Sequence, residues 1–365
     1  MLNALTIPLS GLYGLGLAIR HFLYDKHLLL SHSVSVPTIC VGNIAVGGTG
    51  KTPMVEYLVR LLTAHGFHPA VLSRGYKRTT HGFVLADEQS TVASIGDEAL
   101  QLHRKFPDVP VAVCENRVRG VRQLQRQLKQ LDVIILDDAM QHRPIRCGYT
   151  VMLTPYDRLY IDDHLLPWGR LRDLPSRALK ADSIVVTKCP DNIRPIDMRV
   201  VDNRLHLPTY QQLHFAGIEY APIKQQGNPL VVCGIAQPQY LMEHVQALYP
   251  QAQLMAFPDH HTFDHEEVKQ IIRKARHFDF VLTTEKDLQR MQITSLEERL
   301  QEQGKPLVVV SIQMKFMTPQ QNFDRTILNY VGENCRNHKS EYAFHSTHTS
   351  FCASLSRTDD FEYRL

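Results

Sequence analysis

The sequence predicts an α/β protein: a P-loop NTPase-like αβα sandwich carrying a second, smaller α/β domain. Three observations predict it. Short apolar runs alternate with helical patterns through the first two thirds of the chain, the pattern of βαβ units and a parallel sheet covered on both faces. A glycine-rich turn, VGGTGKT from Val46 to Thr52, follows an early apolar run and opens a helical pattern. After a polar, Gly- and Pro-containing break, apolar runs resume at residue 229.

Taken in order, residues 1–35 form an N-terminal, membrane-proximal helical segment. Residues 1–19 carry no charged side chain, yet Asn3, Thr6, Pro8 and Ser10 interrupt the apolar run. A spanning helix needs about 20 predominantly apolar residues, so this stretch is marginal. The Arg20, His21, Tyr24 and Lys26 cluster that follows suits a helix lying at an anionic membrane surface. An ordinary docking helix is the alternative.

Residues 36–207 read as the P-loop domain. Its strands are PTICVGN (37–43), PAVLSRG (69–75), VPVAVC (109–114), DVIILD (132–137), YTVMLT (149–154) and SIVVTK (183–188), and MVEYLVRLLTAHG supplies the first helix. All are rich in Val and Ile, as strands buried on both faces are. Residues 208–228 read as a linker. The second domain, 229–334, carries PLVVCGIA, FDFVLTT and PLVVVSI, and residues 335–365 read as a polar tail.

Composition excludes some functions. A net charge of +3 over 365 residues, without runs of like charge, gives no sign of a nucleic-acid binder. Seven scattered cysteines, an odd number without a CxxC pair, fit reduced thiols in the cytoplasm.

The strand-turn-helix setting makes VGGTGKT a phosphate-binding loop for ATP. Gly47, Gly48, Thr49 and Gly50 let backbone amides converge on phosphate oxygens, and the helix N-terminus adds partial positive charge. Lys51 would reach the β- and γ-phosphates and Thr52 would offer a hydroxyl to Mg2+. The strict G-x-x-x-x-G-K-[ST] spacing asks for glycine at position 45, where this chain has Ala45.

Downstream, LDDAMQH puts Asp137 and Asp138 at the end of an apolar strand, at the carboxyl edge where such sheets bind ligands. One of the pair should hold Mg2+ directly or through water. Capping of a following helix is the alternative. A guanine-reading N-K-x-D element is absent: 187–191 is one residue too long and 284–287 one too short, which disfavours a GTPase.

VGNIAVGGTGKTP, LSRGY, GDE, LDDAMQH, LLPWGRLRD, CGIAQP, FPDHHTF and LTTEKD occur together and in order. This set resembles the tetraacyldisaccharide 4'-kinases of lipid A biosynthesis, over roughly residues 1–330. The family pattern prefers Gly-Phe where this chain has Ala139-Met140 and Glu where it has Asp173, and it does not rely on glycine at position 45. The resemblance implies a kinase moving the γ-phosphoryl of ATP, with Mg2+, to the 4'-hydroxyl of a tetraacylated glucosamine disaccharide 1-phosphate. It also implies a peripheral or N-terminally anchored protein at the cytoplasmic face of the bacterial inner membrane. A P-loop ATPase acting as a membrane-associated switch or binding module is the competing reading.

With the resemblance in hand, Asp97 of GDE is the candidate base for the acceptor hydroxyl; a helix N-cap is its alternative. Asp259 and His260 of FPDHHTF form a carboxylate-imidazole pair suited to tuning that base or meeting the reacting phosphate. His261 and His265 have a weak zinc spacing. Arg74, Arg117 and Arg172 are candidates for holding substrate phosphates, because guanidinium forks match phosphate oxygens. Lys286 is a further candidate, with an inter-domain ion pair as the alternative.

Overall fold

The computed structural model of the protein describes residues 2–259, 261–291 and 295–335. The chain opens with α1 (Leu2–Asp25) and enters the sheet at β1 (Thr38–Gly42). There follow α2 (Lys51–Ala64), β2 (Pro69–Ser73), β3 (Val84–Leu85), the one-turn α3 (Val92–Ile95), α4 (Asp97–Lys105), β4 (Val111–Val113) and α5 (Arg117–Gln127). Next come β5 (Val133–Asp137), β6 (Tyr149–Pro155), β7 (Ser183–Thr187), α6 (Pro195–Leu205) and β8 (Gln212–Tyr220). A second body contains β9 (Pro229–Cys233), α7 (Pro238–Leu248), β10 (Gln253–Ala256), α8 (His265–Ala275), β11 (Phe280–Thr284), α9 (Glu285–Met291), α10 (Leu296–Gln301) and β12 (Leu307–Val310). The chain returns through β13 (Ile312–Phe316) and a last helix, α11, over residues 320–335.

The first sheet has nine strands in the order β13-β8-β7-β6-β1-β5-β2-β4-β3, and the second has four in the order β10-β9-β11-β12. The seven inner strands of the large sheet pair in parallel, and only the outermost, β3 and β13, run antiparallel. Alternation along β1 decides its two faces. Ile39 and Val41 pack with Met54, Leu58 and Leu62 of α2, while Cys40 joins Val118, Val121 and Leu124 of α5 on the other side. From β1 the chain works outward past β5 to β2 and β4, returns to β5, and then starts β6 on the opposite flank. That reversal leaves a crevice at the carboxyl end of β1, where open α/β sheets take ligands.

Two boundaries differ from the sequence reading. The stretch 208–228, expected as a linker, contains β8, which adds in parallel to β7 through pairs such as Ile184 with Leu213. β8 was hidden because it lies near a sheet edge, where polar His214 and Glu219 interrupt the apolar run. The second domain, expected over 229–334, ends in space with β12. β13 pairs back onto β8, and Phe323, Ile327 and Val331 of α11 are buried in the core of the first sheet. Cys335, expected as the start of the tail, is buried and is the last described residue of α11; residues 336–365 lie outside the described residues.

Candidate active site

The turn after β1 is held from several directions before any ligand is considered. Gly47 (φ 105°) and Gly50 (φ 88°) occupy left-handed backbone that only glycine adopts without strain, and Gly50 is the N-cap of α2. Ala45 needs no such freedom: it forms an extended bridge with Leu171, so the departure from the strict spacing costs the loop nothing. The Val46 amide donates to the Arg170 carbonyl (2.8 Å), and the Arg172 amide donates to the Ile44 carbonyl (2.8 Å). Asn43 donates to the Thr49 hydroxyl (2.6 Å), and Thr187 at the end of β7 donates to the Thr49 carbonyl (2.9 Å). A loop pinned in this way meets phosphate oxygens with little reorganisation.

All six loop residues from Gly47 to Thr52 line one cavity of about 910 Å³ that runs from the carboxyl end of β1 to the second sheet. Asp137 and Asp138 lie in the same wall. No helix follows them, since residues 138–148 form turns before β6, and the capping alternative therefore falls away. The two carboxylates differ in state. Asp137, 4% exposed, is pushed up to about 7 by burial, and next by Glu98 and Asp138, against the pull of Lys51 and Arg117. For Asp138 burial acts in the same upward direction, but Lys51 and an ion pair with Arg172 outweigh it and hold the carboxyl below its usual value. Lys51 Nζ stands 3.9 Å from Asp138.

The donors on this wall, Thr52 and the two carboxylates, are hard oxygen ligands of the kind Mg2+ takes along with water and phosphate. Asp137 in particular carries a charge its surroundings disfavour, a condition that a divalent cation relieves. The residues therefore fit the ion.

The three arginines separate. Arg74 is exposed on the cavity wall. Arg117 is buried and donates to the carbonyls of Cys114 (2.8 Å) and Asp137 (3.1 Å), fixing the end of β5. Arg172 binds Asp138 and the Asn43 side chain and so links the carboxylate to the phosphate loop.

The remaining predicted groups lie toward the second body. Asp97 is not the N-cap of α4: Gly96 takes that place and Asp97 is the first helical residue. It is 5% exposed and does not itself line the cavity, because its carboxylate is turned into an ion pair with Arg290 of α9. Its neighbour Glu98 lines the cavity and meets Lys286 (3.3 Å), which also meets Asp259 (3.4 Å). The inter-domain ion pair expected as the alternative for Lys286 is thus present. His260 lies outside the described residues. His261 is bonded to Glu267 (2.7 Å) and stacked on Phe257, and no cluster of three metal-ligating groups occurs among the described residues.

Several further residues belong to the cavity or brace it without having been expected there, Arg20 having been expected at a membrane surface. Asn43 and Gln141 brace the loop from inside quoted motifs, with Gln141 donating to the Asn43 carbonyl (2.8 Å). Tyr13, Leu17 and Arg20 bring one face of α1 into the lining, and Tyr13 donates to the Arg172 carbonyl (2.8 Å). Lys188, next to the loop at Gly48, is lowered to about 8 by burial and bonds Gln237.

The chain is similar to known proteins over nearly all of its length. The family model described as tetraacyldisaccharide-1-P 4'-kinase matches residues 2–332. The tetraacyldisaccharide 4'-kinase of Bacteroides thetaiotaomicron is 41% identical, over 90% of this chain and 93% of that protein. That of Flavobacterium johnsoniae is 42% identical, over 92% and 98% respectively. Among solved structures, LpxK from Aquifex aeolicus, described as an "apo" form in complex with ATP, superposes with a TM-score of 0.69 at 25% identity. That match covers 91% of this chain and all of the other. The switch-module reading is not favoured by these relatives, and the chain belongs to the tetraacyldisaccharide 4'-kinase family.

Proposed function

We propose that the cavity beside the phosphate loop is where the γ-phosphoryl of ATP passes to the 4'-hydroxyl of the tetraacylated disaccharide 1-phosphate, and that the residues above divide the work. The reaction itself, ATP-dependent 4'-phosphorylation in lipid A synthesis, is the family's. The observation that carries the assignment of roles is Asp137: a buried carboxylate, raised to about 7, in one wall with Lys51 and Thr52.

Amides of Gly47 to Gly50 and the N-terminus of α2 cradle the phosphates, and Lys51 neutralises charge on the transferring group. Thr52 and Asp137, with Asp138 beside them, would hold Mg2+, whose charge would offset that developing on the transferred phosphoryl group. Arg74 serves an anionic group of either substrate. Arg117 and Arg172 act through the carboxylates they position. Asp97 takes the acceptor proton, assisted by Asp259 and His260. Phosphoryl transfer asks more for orientation than for a strong base, and a base need come within reach of its hydroxyl only in the reacting complex. A carboxylate one residue from cavity-lining Glu98 meets that demand.

The membrane enters through α1. One stripe of this helix, Ser10, Leu17 and His21, turns toward the body; Ser10 donates to the Leu165 carbonyl (2.7 Å). Gly14 lies on that side, where a Cβ would come within 2.8 Å of Leu165. The opposite stripe, Leu12, Leu15, Ile19 and Phe22, is exposed. No helix among the described residues is long and apolar enough to cross a membrane. We therefore place α1 in the plane of the cytoplasmic leaflet, acyl chains of the acceptor remaining in lipid while its headgroup enters beside Tyr13 and Arg20.

Purified protein with Mg-ATP and detergent-dispersed disaccharide 1-phosphate should yield a product one phosphate heavier by mass spectrometry. Absence of that product under conditions where ATP binds would count decisively against the reading. Changing Leu12 and Leu15 to Asp together should lower co-sedimentation with anionic vesicles about tenfold or more, each charge costing kilocalories of interfacial transfer; unaltered sedimentation would remove the role given to α1.

A further inference from the structure

We infer that Arg290 is a positioning residue for the phosphoryl transfer, a guanidinium rooted in the second body that sets Asp97 in the first. The inference rests on the proposed role of Asp97 as proton acceptor. Its observations are independent of that role.

Arg290 is 4% exposed, in the last turn of α9. A buried guanidinium is costly unless paired and hydrogen-bonded, and its donors are used in two directions. Toward its own body, Nη1 donates to the Gly234 carbonyl (3.1 Å) and to Asp287 Oδ1 (3.1 Å). Asp287, fully buried, is itself fixed: its Oδ2 accepts from the Gly234 amide (3.0 Å) and the Thr284 hydroxyl (2.7 Å), at the ends of β9 and β11. Toward the first body, Nε (3.0 Å) and Nη2 both donate to Asp97 Oδ2. The other oxygen, Oδ1, accepts from the Glu98 amide (2.9 Å). The carboxylate is therefore held at both oxygens, one by its own helix and one by a residue 193 positions away.

Two consequences follow for chemistry. Two guanidinium nitrogens donate to one carboxylate oxygen, a charge-assisted pairing stronger than a neutral hydrogen bond. It also fixes the carboxylate's rotation, and misplacement of a catalytic group by about 1 Å can cost on the order of 100-fold in rate. Lys286, one turn earlier on α9, ties Glu98 on α4 in parallel. Arg290 makes no contact with the phosphate loop among the hydrogen bonds described, so ATP binding should be indifferent to it.

Steady-state kinetics on the full chain test this. Arg290→Gln should lower kcat about 100-fold with KM for ATP within about twofold. Arg290→Lys, which keeps the charge but loses the fork, should lie between, down about tenfold. The Asp97→Asn/Arg290→Gln double variant should be no slower than Asp97→Asn alone, because Arg290 acts through Asp97. If Asp97→Asn is inactive while Arg290→Gln turns over as the parent does, the positioning role is wrong and the base assignment stands. Parent-like turnover by Asp97→Asn sinks the base assignment and this inference with it. Should the Gln variant not fold, the Lys variant decides: parent-like kcat overturns the proposal, and a selective kcat loss at unchanged melting temperature supports it.

Discussion

Two sets of charges meet at the cavity, one in its phosphate-loop wall and one in a seam that runs behind its other side, and they are built on opposite terms. On the phosphate-loop wall, charges are left at a cost: Asp137 is raised to about 7, Lys51 stands 3.9 Å from its nearest carboxylate, and two glycines hold left-handed backbone. On the seam between α4 and α9, charges are closed into groups. Lys105 bonds both Glu56 (2.8 Å) and Glu285 (2.6 Å), Arg290 joins Asp97 to Asp287, and Lys286 joins Glu98 to Asp259. Groups that must meet a ligand are kept electrostatically hungry. Groups that hold two bodies together neutralise one another. The first wall should therefore trade activity against stability, and the second should supply stability first, Asp97 and the Arg290 that positions it excepted.

The largest expected effect is on the first wall. Asp137→Asn removes a carboxylate proposed to hold the cation and should lower turnover by at least about 100-fold. Its stability should move the other way. The folded pKa, about 7, lies above the ordinary aspartate value of 3.8, so the folded state binds the extra proton between these values and the parent loses stability as pH rises through that window. An uncharged Asn escapes the loss, and the variant should be more stable than the parent at pH 8 by about 1–3 kcal/mol in denaturant titrations. A variant that is both inactive and less stable would break the contrast between the walls.

A smaller effect is expected on the seam. Lys105→Met leaves Glu56, nearly fully buried, and Glu285 beside each other without their shared cation. Removing one partner of a fully buried ion pair costs about 3–5 kcal/mol; Lys105 is partly solvated, so about 1–3 kcal/mol is expected here. Turnover of the folded variant at low temperature should stay within a few-fold of the parent. Unfolding curves and kcat on the same preparation separate the two outcomes, and a large kcat loss without destabilisation would extend the seam's part in the chemistry from Asp97 and Arg290 to Lys105.

The walls also differ in how much the sequence revealed. Strand period, glycine positions and the Lys51–Thr52 pair are local signals, and β1, the loop, α2 and β5 were legible from them. Asp137 and Asp138 were legible as a pair but not in their division, because which carboxylate Arg172 takes depends on a segment over thirty residues away. The seam was nearly invisible: Asp97 to Arg290 and Lys105 to Glu285 span 193 and 180 positions, and no spacing rule links them. Lys286 was readable as an inter-domain pair only as one alternative. β8 escaped for a similar reason, since its partner β13 arrives after the whole second sheet.

That return of β13 to β8 buries a titratable group belonging to neither wall, and it gives the smallest effect and a control for the others. His214 on β8 is 4% exposed and packs edge-on against Phe323 (5.1 Å) and Phe316 (6.1 Å). Burial lowers it to about 4 from the ordinary histidine value of 6.5. The unfolded chain therefore takes the proton first as pH falls, and the folded state loses stability between pH 6.5 and 4 while nothing changes above that window. Between pH 7 and pH 5 the loss attributable to this one ring is roughly 2 kcal/mol. His214→Phe keeps an aromatic body in the site and should flatten the acid limb of the stability curve by that amount, leaving stability at pH 8 within about 1 kcal/mol of the parent. In this background the opposite pH response of Asp137 stands out, because the two groups titrate in overlapping windows with opposite sign. An acid limb unchanged by His214→Phe would place the acid sensitivity in the charged walls after all.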